Sequence, residues 1–139
     1  YGVAPWCDPA RWLPEAARIL RPGGRLAFLT NSVLAALCVP DEGGYAGVRL
    51  VKGPIPASFA GACPEAIAYL HIDLNNAQAE IAALDHLFDR VVPGGVVILD
   101  DYEWANMYRT QKLAEDPWFD ARRYRVTPLP TGQGFVIKR

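Results

Sequence analysis

Cysteine is scarce here. Cys7, Cys38 and Cys63 are odd in number and far apart, with no CxxC pair among them. A zinc site is therefore not expected, and the thiols read as small hydrophobes of a cytoplasmic protein. A surplus of charge is also missing: 14 basic side chains face 15 acidic ones, for a net charge of −1. No Lys/Arg block stands out, which argues against nucleic acid and anionic membrane surfaces as partners. No apolar run approaches the roughly 20 residues that span a bilayer, and no basic segment leads into a signal-peptide core. The chain opens at Tyr1 without a methionine, which reads as a fragment or a processed product. What remains is a globular composition, 51% hydrophobic over 139 residues, enough for one α/β domain with a real core.

The most informative pattern is a pair of apolar runs that end in acid. One is Ile67–Asp73 with the following Leu74-Asn75-Asn76; the other is Val96-Val97-Ile98-Leu99-Asp100-Asp101-Tyr102. Between them, Gln78 to Val91 carries Ile81, Leu84, Leu87, Phe88 and Val91 at helical spacing, with Asn75 or Asn76 as its cap. The unit is strand–helix–strand. Its two strands are expected side by side, about 4.8 Å apart, so that Asp73, Asp100 and Asp101 meet at the carboxyl edge of a parallel sheet. Three oxygen donors in one place suit a hard divalent cation such as Mg²⁺. The plainer alternative is that each acid is a helix cap or a solvated neighbour of one.

An internal echo organises the rest. Arg21-Pro22-Gly23-Gly24-Arg25-Leu26 and Val92-Pro93-Gly94-Gly95-Val96-Val97 both read as a helix end, a Pro-Gly-Gly turn and a buried strand. Residues 1–45 form the first such unit and 46–139 the second. The first starts a helix at Asp8-Pro9, kinked or split at Pro14, and continues into a strand at Arg25–Thr30. A short helix over Val33–Cys38 and a loop at Pro40–Gly44 follow. The second is expected to add a strand at Val48–Lys52 and a connection over Pro54–Cys63 with a short helix. Beyond Asp101 come a helix over Trp104–Ala114 and a new turn at Asp116-Pro117. The chain closes with an antiparallel hairpin, Tyr124–Leu129 and Phe135–Lys138, around Thr131-Gly132-Gln133-Gly134.

A mostly parallel, Rossmann-like sheet that ends in an antiparallel hairpin resembles the C-terminal half of a class I S-adenosylmethionine-dependent methyltransferase. From about 48 to 138 the chain is similar to the macrocin/mycinamicin O-methyltransferase family. The similarity runs through Ala68–Asp73, Val92–Tyr102 and Leu129-Pro130-Thr131-Gly132-Gln133-Gly134. It implies Mg²⁺ held by Asp73, Asp100 and Asp101. It also implies a general base two residues after the first acid, where this sequence has Asn75, a side chain that cannot accept a proton. His71 shares a strand face with Asp73 and is the alternative base; otherwise it is a packed, hydrogen-bonded histidine. Residues 5–38, through Glu15-Ala16-Ala17-Arg18-Ile19-Leu20-Arg21-Pro22-Gly23-Gly24-Arg25-Leu26, resemble the C-terminal region of another class I type. The chain thus reads as an incomplete or recombined methyltransferase fold, a fragment or chimera.

The resemblance implies S-adenosylmethionine as methyl donor and a hydroxyl of a small-molecule natural product as acceptor, with Trp104 and Tyr108 lining the acceptor pocket or packing a helix. No G-x-G-x-x-G follows a first strand to carry that cofactor. The competing expectation is a non-catalytic α/β scaffold that pairs with a second copy through an edge strand. Metal-dependent phosphoryl transfer is a third class, lacking a placed Lys, Ser or Thr.

Overall fold

The computed structural model describes residues 9–20, 25–30, 51, 53–61, 63–103 and 109–139. The expected cap at Asp8, the helix over 33–38, the loop over 40–44, most of the strand over 48–52, and Trp104 and Tyr108 lie outside the described residues. In chain order come α1 (Pro9–Ile19), β1 (Leu26–Thr30), a 3₁₀ turn at Ala57–Gly61 and β2 (Ile67–Asp73). Then follow α2 (Ala77–Leu87), a 3₁₀ turn at Phe88–Arg90, β3 (Val91–Leu99), α3 (Arg109–Ala121), β4 (Thr127–Pro128) and β5 (Gly134–Ile137).

The strands form one five-stranded sheet in the order β1-β2-β3-β5-β4. β1, β2 and β3 are parallel, while β5 runs antiparallel to both β3 and β4. The strands of both Pro-Gly-Gly units therefore lie in the same sheet, on either side of β2. Fold class and closing hairpin match the expectation: an α/β sheet, parallel through β1, β2 and β3 and closed by the antiparallel β5 and β4.

Strand alternation divides β2 and β3 into two faces. Leu70, Ile72, Val97 and Leu99 are buried on one face and pack with Ala83, Leu84 and Leu87 of α2. Each such side chain contributes about 1.5–3 kcal/mol by leaving water. His71 and Asp73 take the other parity. Asn76 caps α2, its side chain accepting from Ala79 N at 3.0 Å. Phe88 centres an aromatic cluster with Trp118, Phe119 and Tyr124, each ring edge-on to it at 5.0–5.5 Å between centroids.

Four expectations change. α1 runs continuously through Pro14, neither split nor restarted. The stretch read as a helix to Val91 leaves the α conformation at Leu87, and Val91 already belongs to β3. Pro93-Gly94-Gly95 is consequently not a turn before a strand but an irregularity inside one. The register jumps there from Ile67↔Val91 to Tyr69↔Val96. Gly94 has φ +82°, and a Cβ on Gly95 would lie 2.7 Å from Val91 Cγ1 and 2.8 Å from the Val92 carbonyl, so the glycines let the strand fold back on itself. Finally, α3 passes straight through Pro117 instead of restarting at Asp116. Gln111, Glu115 and Phe119 are its buried stripe at i, i+4 and i+8, and that packing outweighs the missing proline donor.

Candidate functional site at the carboxyl edge of the sheet

β2 ends at Asp73 and β3 at Leu99, in register through Ile72↔Leu99. Asp100 N extends the pairing by donating to Ile72 O at 2.9 Å. This register brings the acids together: Asp73, Asp100 and Asp101 each offer an oxygen within 4.8 Å of the others. Asp100 is buried, and its two neighbours are half-buried. The separation is compatible with a shared cation ligated at about 2.0–2.6 Å from each oxygen.

The three acids differ in how they carry charge. Burial pushes the Asp100 carboxyl up, but hydrogen bonds from His71 and Gln133 outweigh it and leave it below its ordinary value. Asp101 has no such compensation: burial, then repulsion from Asp100 and Asp73, push it up to about 6. Asp73 is raised by burial and by Asp100, with His71 pulling the other way. A cation among them would relieve this repulsion. The donor set therefore fits a hard divalent ion on both chemistry and spacing.

His71 is 6% exposed, with Nε2 3.3 Å from Asp100 Oδ1. Asn75 adopts φ +52°, a left-handed conformation that asparagine tolerates, and its Nδ2 donates to Asp73 Oδ1 at 3.3 Å. His71, the alternative base, and Asn75, at the position where a base was expected, thus both sit beside the acids, each against a carboxylate.

Sequence reasoning missed three participants. Gln133 donates from Nε2 to Asp100 Oδ1 at 2.6 Å, from a turn read only as a hairpin closure. Lys112 is half-buried: its Nζ donates to the Tyr102 hydroxyl at 2.9 Å and lies 4.1 Å from that ring's centroid. The Tyr102 hydroxyl in turn donates to Asp116. Third, Glu80 of α2 and Glu115 of α3 are both buried where the helices pack. Burial first, and then mutual repulsion for Glu115, push both carboxyls well above the ordinary range. The two carboxyls meet side chain to side chain, a contact that becomes a hydrogen bond only when one of them carries a proton. A visible signal existed: Glu80 falls three residues before Ala83 and four before Leu84, and Glu115 four before Phe119, so each acid lies on its helix's apolar stripe.

Among the described residues, no helix is long and apolar enough to cross a membrane. The chain is similar to three uncharacterized methyltransferases, one from Mycobacterium bovis and two from Mycobacterium tuberculosis. Each is 63% identical over 27 residues, which are 19% of this chain and 11% of the relative. It thus spans about a tenth of the length of these curated relatives. Among solved structures, the O-methyltransferase NovP aligns with a TM-score of 0.49 and 22% identity, over 56% of this chain and 32% of that one. The model of the macrocin O-methyltransferase family matches residues 44–118, more than half of the chain and including all three acids. This chain belongs to the macrocin O-methyltransferase family.

Proposed function

We propose that this chain is part of a divalent-cation-dependent O-methyltransferase that moves a methyl group from S-adenosylmethionine to a hydroxyl of a small natural product. The observation that carries the proposal is the convergence of Asp73, Asp100 and Asp101 within 4.8 Å at two adjoining strand ends, in a chain of methyltransferase family. These three residues would hold Mg²⁺. When bound, the ion would polarise the acceptor hydroxyl and lower its pKa. The chain's own residues orient the acids: His71 and Gln133 face Asp100, and Asn75 donates to Asp73. His71 is buried against a carboxylate, which favours an orienting role over abstraction of a substrate proton. Asn75 lacks proton affinity, so its part is also to hold an acid. Rate enhancement then comes mainly from fixing methyl donor and acceptor in line.

Calorimetry of the chain with Mg²⁺ or Mn²⁺, and with S-adenosylmethionine in the presence and absence of the ion, tests this. Cation binding that disappears in Asp100→Ala, together with measurable cofactor binding, is expected. No cation binding at about 10 mM, far weaker than functional sites of this kind, sinks the metal assignment. Cation binding without cofactor binding at millimolar concentration points instead to a non-catalytic scaffold with a surviving metal site.

A further inference from the structure

The Thr131-Gly132-Gln133-Gly134 turn has a composition that hairpin closure alone does not require. Its backbone is tied at three points. Leu129 N donates to Gln133 O at 2.8 Å, Gly132 N to Leu129 O at 2.9 Å, and Glu103 N, just beyond the acids, to Gly132 O at 2.8 Å. Gly132 has φ +89°, which favours glycine. Gly134 pairs with Leu99, the last residue of β3. A Cβ there would lie 2.8 Å from Tyr102 Cγ and 2.7 Å from Val126 Cγ1, so only glycine lets the turn approach the β3 end this closely. Between these two glycines stands Gln133, whose Nε2 is 2.6 Å from Asp100 Oδ1. Thr131 Oγ1 donates to Gln133 Oε1 at 3.0 Å, and because an ionised Asp100 carboxylate only accepts, the amide end facing it is the NH₂ donor. His71 Nε2 approaches the same Asp100 oxygen from β2 at 3.3 Å. One carboxylate oxygen is thus held from β2 and from the turn that leads into β5.

We propose that Gln133 is the positioning residue for Asp100: its amide, oriented by Thr131 and delivered by the Gly132 and Gly134 backbone, fixes the Asp100 carboxylate for a divalent cation. The inference rests on the reading of the three acids as a cation site. Its physical basis is that a ligand held by an outer hydrogen bond does not have to be ordered when the ion arrives.

The test is Mn²⁺ affinity, followed by electron paramagnetic resonance, in wild type, Gln133→Met and Thr131→Val. Gln133→Met keeps the length of the side chain and removes the donor; about 10-fold or greater weakening is expected, typical for loss of an outer partner of a metal ligand. Thr131→Val, which only frees the amide to rotate, is expected to weaken binding about 3-fold, the worth of one ordinary hydrogen bond. Affinity unchanged in Gln133→Met, with the variant folded by circular dichroism, overturns the proposal. A second readout needs no metal and no variant at position 133. In wild type, the Gln133 side-chain amide protons are expected to be well separated in the NMR spectrum and slow to exchange. That signature should collapse in Asp100→Ala; if it persists there, the proposed contact is wrong. Failure of wild type itself to bind Mn²⁺ removes the cation reading and with it the positioning role toward an ion, while the amide signature then reports whether Gln133 grips Asp100 at all.

Discussion

Two groups of crowded carboxylates stand among the described residues, and they handle the same repulsion in opposite ways. At the sheet edge, Asp100 receives donors from His71 and Gln133 and is held below its ordinary value, while Asp101 rises to about 6. Between α2 and α3, Glu80 and Glu115 face each other, and both are pushed well up, chiefly by burial. The first group keeps negative charge in place and opens toward the strand ends. The second resolves its conflict by keeping protons. Partner chemistry, more than the number of acids, separates a candidate cation site from a protonated structural contact.

The comparison breaks most visibly at Asp100. Asp100→Ala should reduce Mn²⁺ affinity by more than about 100-fold, beyond what loss of an outer partner costs, whereas Glu115→Gln should leave it within about 2-fold; calorimetry on both variants checks the contrast. Equal losses would mean that the two acid groups form one site.

Gly134→Ala tests whether the edge group depends on close approach of the turn. The new methyl would press on Tyr102 and Val126, so a loss of about 1–3 kcal/mol, as for overpacked cores, is expected in urea unfolding. Mn²⁺ affinity should fall with it.

Glu115→Gln tests the helix pair through pH. The native carboxyl value is raised, so the folded state binds more protons than the unfolded chain once pH exceeds the ordinary glutamate value of about 4.3. Stability is therefore fullest below that pH and declines as pH rises toward the elevated native values. Thermal unfolding of wild type between about pH 5 and 9 should show this decline, up to about 1.4 kcal/mol per pH unit for one proton. Glu115→Gln should flatten it and be the more stable protein at the alkaline end. An unchanged slope would show that the pair does not hold a proton.

The smallest effect is expected at the α2 start. Asn76→Ala removes the cap on Ala79 N and should cost about 1 kcal/mol in urea unfolding. It should leave Mn²⁺ affinity unaltered, because the hydrogen bond it removes, from Ala79 N to Asn76 Oδ1, involves none of the three acids.

Much of this architecture was legible before any coordinates. β2 announces itself as a short apolar run ending in acid and α2 through helical spacing that buries Leu84 and Leu87, while of the two cap candidates, Asn75 and Asn76, it is Asn76 that caps. The closing hairpin is marked by Gly132 and Gly134. Local signals failed where tertiary packing competed with them. Pro93-Gly94-Gly95 looks like a turn, yet pairing with β2 draws Val91 into the strand and turns the glycines into a bulge. Pro117 looks like a helix start, yet Glu115 and Phe119 continue the stripe begun at Gln111. Lys112 looks solvated because its type is usually so, yet Tyr102, Glu103 and Asp116 gather around its ammonium and leave it half-buried.

The sequence by itself determined the strand–helix–strand unit and the acids at its two strand ends, because side-chain alternation and helical spacing are properties of neighbouring residues along the chain. It also carried the family resemblance through those same stretches. The tertiary structure alone decided that Gln133, 33 residues beyond Asp100, grips its carboxylate, and that Glu80 and Glu115 share a dry interface. Those contacts join segments whose separation leaves no periodic trace, so they exist only once the sheet has brought β5 beside β3 and the two helices have packed together.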